Sequence, residues 1–219
     1  MQITKRTLLY FTGLLIVYFL LSIMTFSVVH DGLHLMLAWN VFLAFIPFVI
    51  VYILDLKKIK SKIVNILLII LWLLFFPNTI YILTDLIYIE SRYFMTYTGP
   101  YSPLTYLQNL EMYLALFHIV IGIIIGYLYG YKSLIVLYRY SKTTKLLPYR
   151  DLITIGIFGL SGLGVYIGRF FRYNSWDLFR IFDIVRDFFA TFSWFTVFFI
   201  GVITFIQILL FYSIKFSQK

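Results

Sequence analysis

Apolar residues in this 219-residue chain fall in long blocks with few polar positions inside them, and the charges collect in the gaps. Six blocks, at about 7–29, 33–54, 63–84, 110–131, 152–168 and 188–212, supply the roughly 20 apolar residues that a helix needs to cross a hydrocarbon core of about 30 Å. Membrane β-strands would alternate apolar and polar positions over about ten residues, whereas Ile63 to Phe76 is apolar at nearly every position. The pattern predicts an all-α fold, a polytopic transmembrane helical bundle of about six spans. No linker or repeat divides it, so residues 1–219 read as one integral membrane domain.

Composition agrees: 62% hydrophobic and 12% charged residues leave too little polar surface to cover a soluble globule. The first block follows Lys5 and Arg6 as a secretory signal would, but it exceeds a signal's apolar core and no small-x-small cleavage site follows. It reads as a retained first span. The absence of cysteine excludes disulfides, zinc–thiolate sites and cysteine nucleophiles.

Charge sets the expected orientation. One side collects Lys5, Arg6, Lys57, Lys58, Lys60, Lys62, Lys132, Arg139, Lys142, Lys145, Arg150, Lys215 and Lys219, thirteen cations against Asp55 and Asp151, a net of +11. The other holds five, Arg92, Arg169, Arg172, Arg180 and Arg186, against seven acids, a net of −2. Cytoplasmic loops retain Lys and Arg, so both termini are expected in the cytoplasm of a multi-pass cell-membrane protein. The overall charge of +9 then reflects topology and an anionic inner leaflet rather than nucleic-acid binding.

Helix packing accounts for most glycines. Gly122, Gly126 and Gly130 form a small-residue stripe in the fourth span, and Gly164 and Gly168 repeat its spacing in the fifth. Such stripes let backbones approach closely in lipid, and spans four and five are expected to pack together. Gly156 to Gly168 is a poor phosphate-cradling loop, because it lies in an apolar segment with no preceding soluble strand.

Two polar motifs interrupt the pattern on the near-neutral side. The first runs from Phe75 through Pro77, Asn78, Tyr81, Thr84 and Asp85 to Leu86. Pro77 should kink the third span and free a backbone acceptor. At 100° per residue, Asn78, Tyr81, Asp85 and Tyr88 share a face that should look into the bundle or a wet cavity. The second motif is Gly168-Arg169-Phe170-Phe171-Arg172-Tyr173-Asn174-Ser175-Trp176-Asp177. Arg169 and Arg172 can share a helical face and present planar forks to phosphate or carboxylate, or one of them can meet Asp85. Asn174 or Ser175 has the chemistry of an N-cap, with Asp177 in the first turn. The following residues interleave Leu178, Phe179, Ile181, Phe182, Ile184 and Val185 with Arg180, Asp183, Arg186 and Asp187, predicting an amphipathic interfacial helix before the last span.

Together, F-P-N-x-x-Y-x-x-T-D-L and, about 80 residues later, G-R-F-x-R-x-N-S-W-D resemble a bacterial family of multi-pass membrane proteins catalogued only as a domain of unknown function. The resemblance covers most of the chain from the second span onward. It implies that Pro77, Asn78, Tyr81, Thr84, Asp85, Arg169, Arg172, Asn174, Ser175, Trp176 and Asp177 occupy hallmark positions, and it implies a fold without an activity.

His30 and His34, four residues apart, have the spacing of a shared metal site, but Gly32 should break the turn between them, and no metal or other cofactor is expected. His118, in the outer half of the fourth span, reads as a satisfied histidine inside the bundle, with a proton-titrating group facing the cavity of the polar motifs as the alternative. Three functional classes fit these residues. The leading one is a binding site on the outer face for an anionic lipid headgroup or a lipid-linked envelope precursor, held by Arg169 and Arg172 and selected by Asn78, Tyr81 and Asp85. The second is a membrane-embedded enzyme with Asp85 or Asp177 as general base. The third is a small transporter with Asn78 at a broken helix and His118 or Asp85 carrying protons.

Overall fold

A computed structural model of the chain describes residues 5–57, 59, 61–89, 94–96, 99, 105–140 and 149–217. Lys58, Lys60, Glu90, Arg92, Lys142, Lys145 and Lys219, counted above for orientation, lie outside them.

The fold is an all-α bundle in which, among the described residues, six helical segments are long and apolar enough to cross a membrane, Lys5–Val29, Leu33–Asp55, Lys62–Tyr88, Leu110–Tyr138, Arg150–Phe171 and Trp194–Ser217. The protein is therefore a multi-pass membrane protein. Helices α1 (Lys5–Val29) and α2 (Leu33–Lys57) form an antiparallel pair. The third span begins as α3 (Lys62–Phe75), then continues as a helical turn, α4 (Asn78–Tyr81), and a 3-10 helix over Ile82–Tyr88. A two-residue antiparallel ladder, β1 (Met95–Thr96) with β2 (Thr105–Tyr106), precedes α5 (Leu110–Tyr140). Helix α6 (Arg150–Tyr166) ends in a π-helical turn over Ile167–Phe171. A 3-10 turn over Asp177–Arg180 leads into α7 (Ile181–Thr191), and α8 (Trp194–Ser217) closes the chain. With six crossings, the start of α1 and the end of α8 lie at one end of the bundle and both polar motifs at the other, called here the distal end.

The core sits where α1, α2, the third span and α5 meet. Tyr18, Phe48, Trp72 and Tyr129 are fully buried there, and their polar atoms are bonded as burial demands: Tyr129 donates to the Phe11 carbonyl at 2.9 Å and Trp72 to Ser133 at 3.2 Å. Much of the remaining surface is apolar, as on Phe182, Trp194 and Phe198. In water such a surface would drive aggregation; in lipid it is the outer wall.

Spans four and five do not pair through their glycines as expected. Helix α5 packs mainly on α2, and α6 on α8. The glycines instead close on the broken third span from two sides. A methyl on Gly130 would lie 2.6 Å from Thr79 Oγ1, one on Gly126 2.9 Å from the Thr79 carbonyl, and one on Gly164 2.5 Å from Pro77 Cγ. A kinked segment is wider and less regular than an ideal helix, so its neighbours need flat faces. Gly162 alone in this set serves α8, against Ile200 and Thr204.

The last span also starts later than the apolar run implied. Phe188 to Thr191 belong to α7, and the chain turns at Phe192 and Ser193. Thr196 Oγ1 accepts from the Ser193 amide at 3.2 Å, a cap that fixes the start of α8.

Candidate functional site

Pro77 shapes the distal half of the third span. The helix before it closes with Phe76 N–H on the Trp72 carbonyl, and the chain resumes as a tight turn with Tyr81 N–H on the Pro77 carbonyl. Polar side chains of the motif add bonds to carbonyls along the broken segment: Asn78 Nδ2 donates to Phe75 at 3.0 Å, Thr79 Oγ1 to Phe76 at 2.8 Å beside its own backbone N–H, and Thr84 Oγ1 to Tyr81 at 2.7 Å. The polar residues after Pro77 thus maintain the broken segment in an apolar setting, where an unpaired carbonyl costs several kcal/mol, about 2–7.

Asn78 also links the two motifs, its second amide hydrogen reaching Ser175 Oγ at 3.0 Å. A stronger link lies deeper. Arg169 Nη2 meets Asp85 Oδ1 at 2.5 Å, with Asp85 fully buried and Arg169 12% exposed. Thr84 Oγ1 accepts from Arg169 Nε at 2.9 Å and Nη2 at 2.6 Å. The guanidinium lies over the rings of Tyr81 and Tyr88, 5.0 and 5.7 Å from their centroids. Asn40 Nδ2 donates to the other Asp85 oxygen at 3.0 Å. Of the expected polar face, Asn78, Tyr81 and Asp85 turn into the bundle while Tyr88 is 46% exposed, the 3-10 winding from Ile82 replacing the 100° spacing. Asp85 lies inside the bundle, one residue beyond the expected end of the span, which continues to Tyr88.

The two arginines do not act as a pair. The π-helical turn carries Arg169 inward, and Arg172 adopts a left-handed backbone conformation with φ 59° that places it outside. Arg169 is committed to Asp85, while Arg172 is exposed and, among the described residues, makes no hydrogen bond or ion pair. Asp177 stands in the first turn as expected, but the side-chain capping bond is made by the acid. Asp177 Oδ2 accepts from the Asn174 backbone N–H at 2.7 Å and its Nδ2 at 3.3 Å, so the acid reaches back to the amide and Asn174 is not the acceptor.

Between these parts lies a cavity of about 250 Å³. Asn40, Asn78, Tyr81, Asn174 and Ser175 give it a polar wall; Leu43, Leu74, Ile167, Ile181 and Ile184 give it an apolar one. Trp39 and Asn174, both on the lining, are exposed, so it reaches the surface at a span face and at the loop. Trp176 packs edge-on against Trp39 at 6.4 Å. No lining residue is ionised. Thr84, Asp85 and Arg169 stand behind the lining, and Arg172, Trp176 and Asp177 stand beside it. Helix α7 supplies Ile181 and Ile184 and is held by Tyr173, whose hydroxyl donates to Asp187 at 2.9 Å. That bond and the Arg186 guanidinium hold the Asp187 carboxyl below the usual carboxylate range.

The motif reading missed Asn40, Trp39 and Tyr173. Asn40 carried a signal, because a lone amide inside an apolar span is costly unless partnered. It also missed a buried histidine pair. His34 and His118 stack with Nδ1 atoms 2.8 Å apart, and His118 Nε2 is 2.9 Å from Ser22 Oγ. Ser22 donates its hydrogen to the Tyr18 carbonyl, so it accepts from His118 Nε2–H. In the neutral pair His34 Nδ1–H then donates to His118 Nδ1, and His34 Nε2 is buried without a partner. His118 therefore faces His34 and Ser22 and not the cavity. His30 is exposed at φ 55°, away from buried His34, and the two do not form a shared metal site.

A family described as "Protein of unknown function (DUF1361)" matches residues 39–210, which include both motifs and all the cavity residues. No curated protein matches the chain. No solved structure matches it.

Proposed function

The chain belongs to the DUF1361 family of proteins of unknown function, and from the site itself we propose that it binds the headgroup of an anionic lipid or lipid-linked envelope precursor at the distal end. The amphipathic cavity carries this reading. It is polar toward Asn78 and Ser175, apolar toward Leu74 and Ile184, and reaches the surface on a span face at Trp39. Its volume lies below the roughly 300–1,000 Å³ of drug-sized pockets, a size for a headgroup with its acyl chains left in the bilayer. Arg172, free at the rim, supplies the positive charge for a phosphate, a role that Arg169 cannot take while it neutralises Asp85. The excess of Lys and Arg on the opposite side supports an outward-facing cavity.

Catalysis and proton-coupled transport draw less support. Both Asp85 oxygens are occupied, by Arg169 and Asn40, and Asp177 is bonded to Asn174, which leaves neither carboxylate poised as a base.

The test is photocrosslinking in native membranes, with p-benzoylphenylalanine at Ile184 on the cavity wall or at Phe182, which is 87% exposed on α7. The proposal expects one discrete lipid adduct at Ile184 and a mixture following bulk composition at Phe182. The same mixture at both positions would overturn it.

A further inference from the structure

The hydrogen-bonding valences on the cavity wall define the headgroup more narrowly. Asn78 gives one amide hydrogen to the Phe75 carbonyl and the other to Ser175. Asn40 gives a hydrogen to the Asp85 carboxylate. A carbonyl and a carboxylate only accept, so both amides are fixed with nitrogen toward the protein. Among the described residues their Oδ1 atoms make no bond, and they are not among the buried unpartnered atoms. Both are open acceptors in a cavity that the two residues line.

The rest of the wall complements these acceptors. Ser175 Oγ accepts from Asn78 and keeps its own hydrogen to donate. The Tyr81 hydroxyl makes no hydrogen bond to the protein, nor is it a buried unpartnered atom. Asn174, whose Nδ2 donates to the Asp177 carboxylate, adds a third Oδ1 at the exposed end, so the wall offers three fixed acceptors and two hydroxyls that can donate. A bare phosphate, which mainly accepts, matches only the hydroxyls. An ammonium matches the acceptors but finds no carboxylate on the lining to balance its charge, with Arg169 over the Tyr81 ring behind it. Neighbouring hydroxyls, each a donor and an acceptor, match both sets. The Trp39 and Trp176 rings beside the polar wall suit the C–H face of such a group.

We infer that the part of the ligand entering the cavity is an uncharged polyhydroxyl group, a glycosyl or glycerol headgroup, with any phosphate left at the rim beside Arg172. This rests on the reading of the cavity as a lipid-headgroup site.

The experiment is competitive binding to the purified full chain, measured by native mass spectrometry with four lipids of identical acyl chains: phosphatidylglycerol, phosphatidic acid, phosphatidylethanolamine and a monoglucosyl diacylglycerol. Losing two hydrogen bonds at about 1 kcal/mol each corresponds to roughly tenfold or more in affinity. Phosphatidylglycerol is expected to exceed phosphatidic acid by about tenfold, and the glucosyl lipid to exceed phosphatidylethanolamine. If the glucosyl lipid leads, the source is a glycolipid; if phosphatidylglycerol leads, it is a glycerophospholipid. Ser175→Ala should reduce both preferences several-fold, and Arg172→Ala only that for phosphatidylglycerol over the glucosyl lipid. Equal retention of phosphatidic acid and phosphatidylglycerol, both above the uncharged lipid, would overturn this inference and leave the headgroup site standing. Equal retention of all four would overturn both.

Discussion

Replacing Asp85 by Asn tests how the two motifs hold together. The side chain keeps its shape but loses the charge facing Arg169, 2.5 Å away, in a place where Asp85 is fully buried and Arg169 is 12% exposed. Removing one member of a buried ion pair costs about 3–5 kcal/mol, because the partner remains charged in a poorly solvating site. Arg169→Met should cost a comparable amount by stranding the Asp85 carboxylate with only Asn40. The double variant strands no charge. It should therefore be more stable than the sum of the single losses predicts, by about 2–3 kcal/mol, at the upper end of couplings for contacting residues. Unfolding free energies of all four proteins, measured by steric trapping in bicelles, give the coupling directly. Losses that add to within about 0.5 kcal/mol would refute the argument that these charges depend on one another.

Other perturbations have defined outcomes. Gly164→Ala should cost about 1–3 kcal/mol by overpacking against Pro77, whereas Gly156→Ala and Gly159→Ala, which meet open space, should be neutral or slightly stabilising; thermal unfolding in detergent compares them. Nitrogen-15 NMR should find His118 as the Nε2–H tautomer and His34 as the Nδ1–H tautomer, and reversed tautomers would contradict the Ser22 bond. The depressed Asp187 carboxyl should contribute to docking of α7 above its unfolded-state value, with that contribution lost as pH falls through the folded-state value. Tyr173→Phe should move this transition to higher pH, followed by hydrogen exchange over α7. A cysteine introduced at Asn174 should react with an impermeant thiol reagent in intact cells while one at Lys60 does not, and the reverse would invert the orientation.

The architecture was legible because one physical signal dominates it. Blocks of about 20 apolar residues have few alternatives to membrane helices, and Pro77 has few consequences other than a break. The meeting of Asp85 with a motif arginine was also legible, since a buried acid needs a cation and few lay on that side. The choice between Arg169 and Arg172 was not, because it turns on a π-helical turn and one left-handed residue. The glycine stripes were read correctly as contact faces but assigned to each other, since spacing shows that a backbone approaches and not which one. Asn40 and the His34–His118 pair come from distant spans that only the packed bundle brings together.

The central claim is that the distal cavity holds a headgroup, and blocking it tests that most directly. Ser175→Trp places an indole in the cavity, while Phe198→Trp changes an exposed site on α8. Both proteins are purified gently and compared with wild type by native mass spectrometry for co-purified lipid, with circular dichroism as the check on folding. The account predicts a discrete anionic lipid on wild type and on Phe198→Trp, lost from folded Ser175→Trp. The same bound lipid on all three proteins would contradict it.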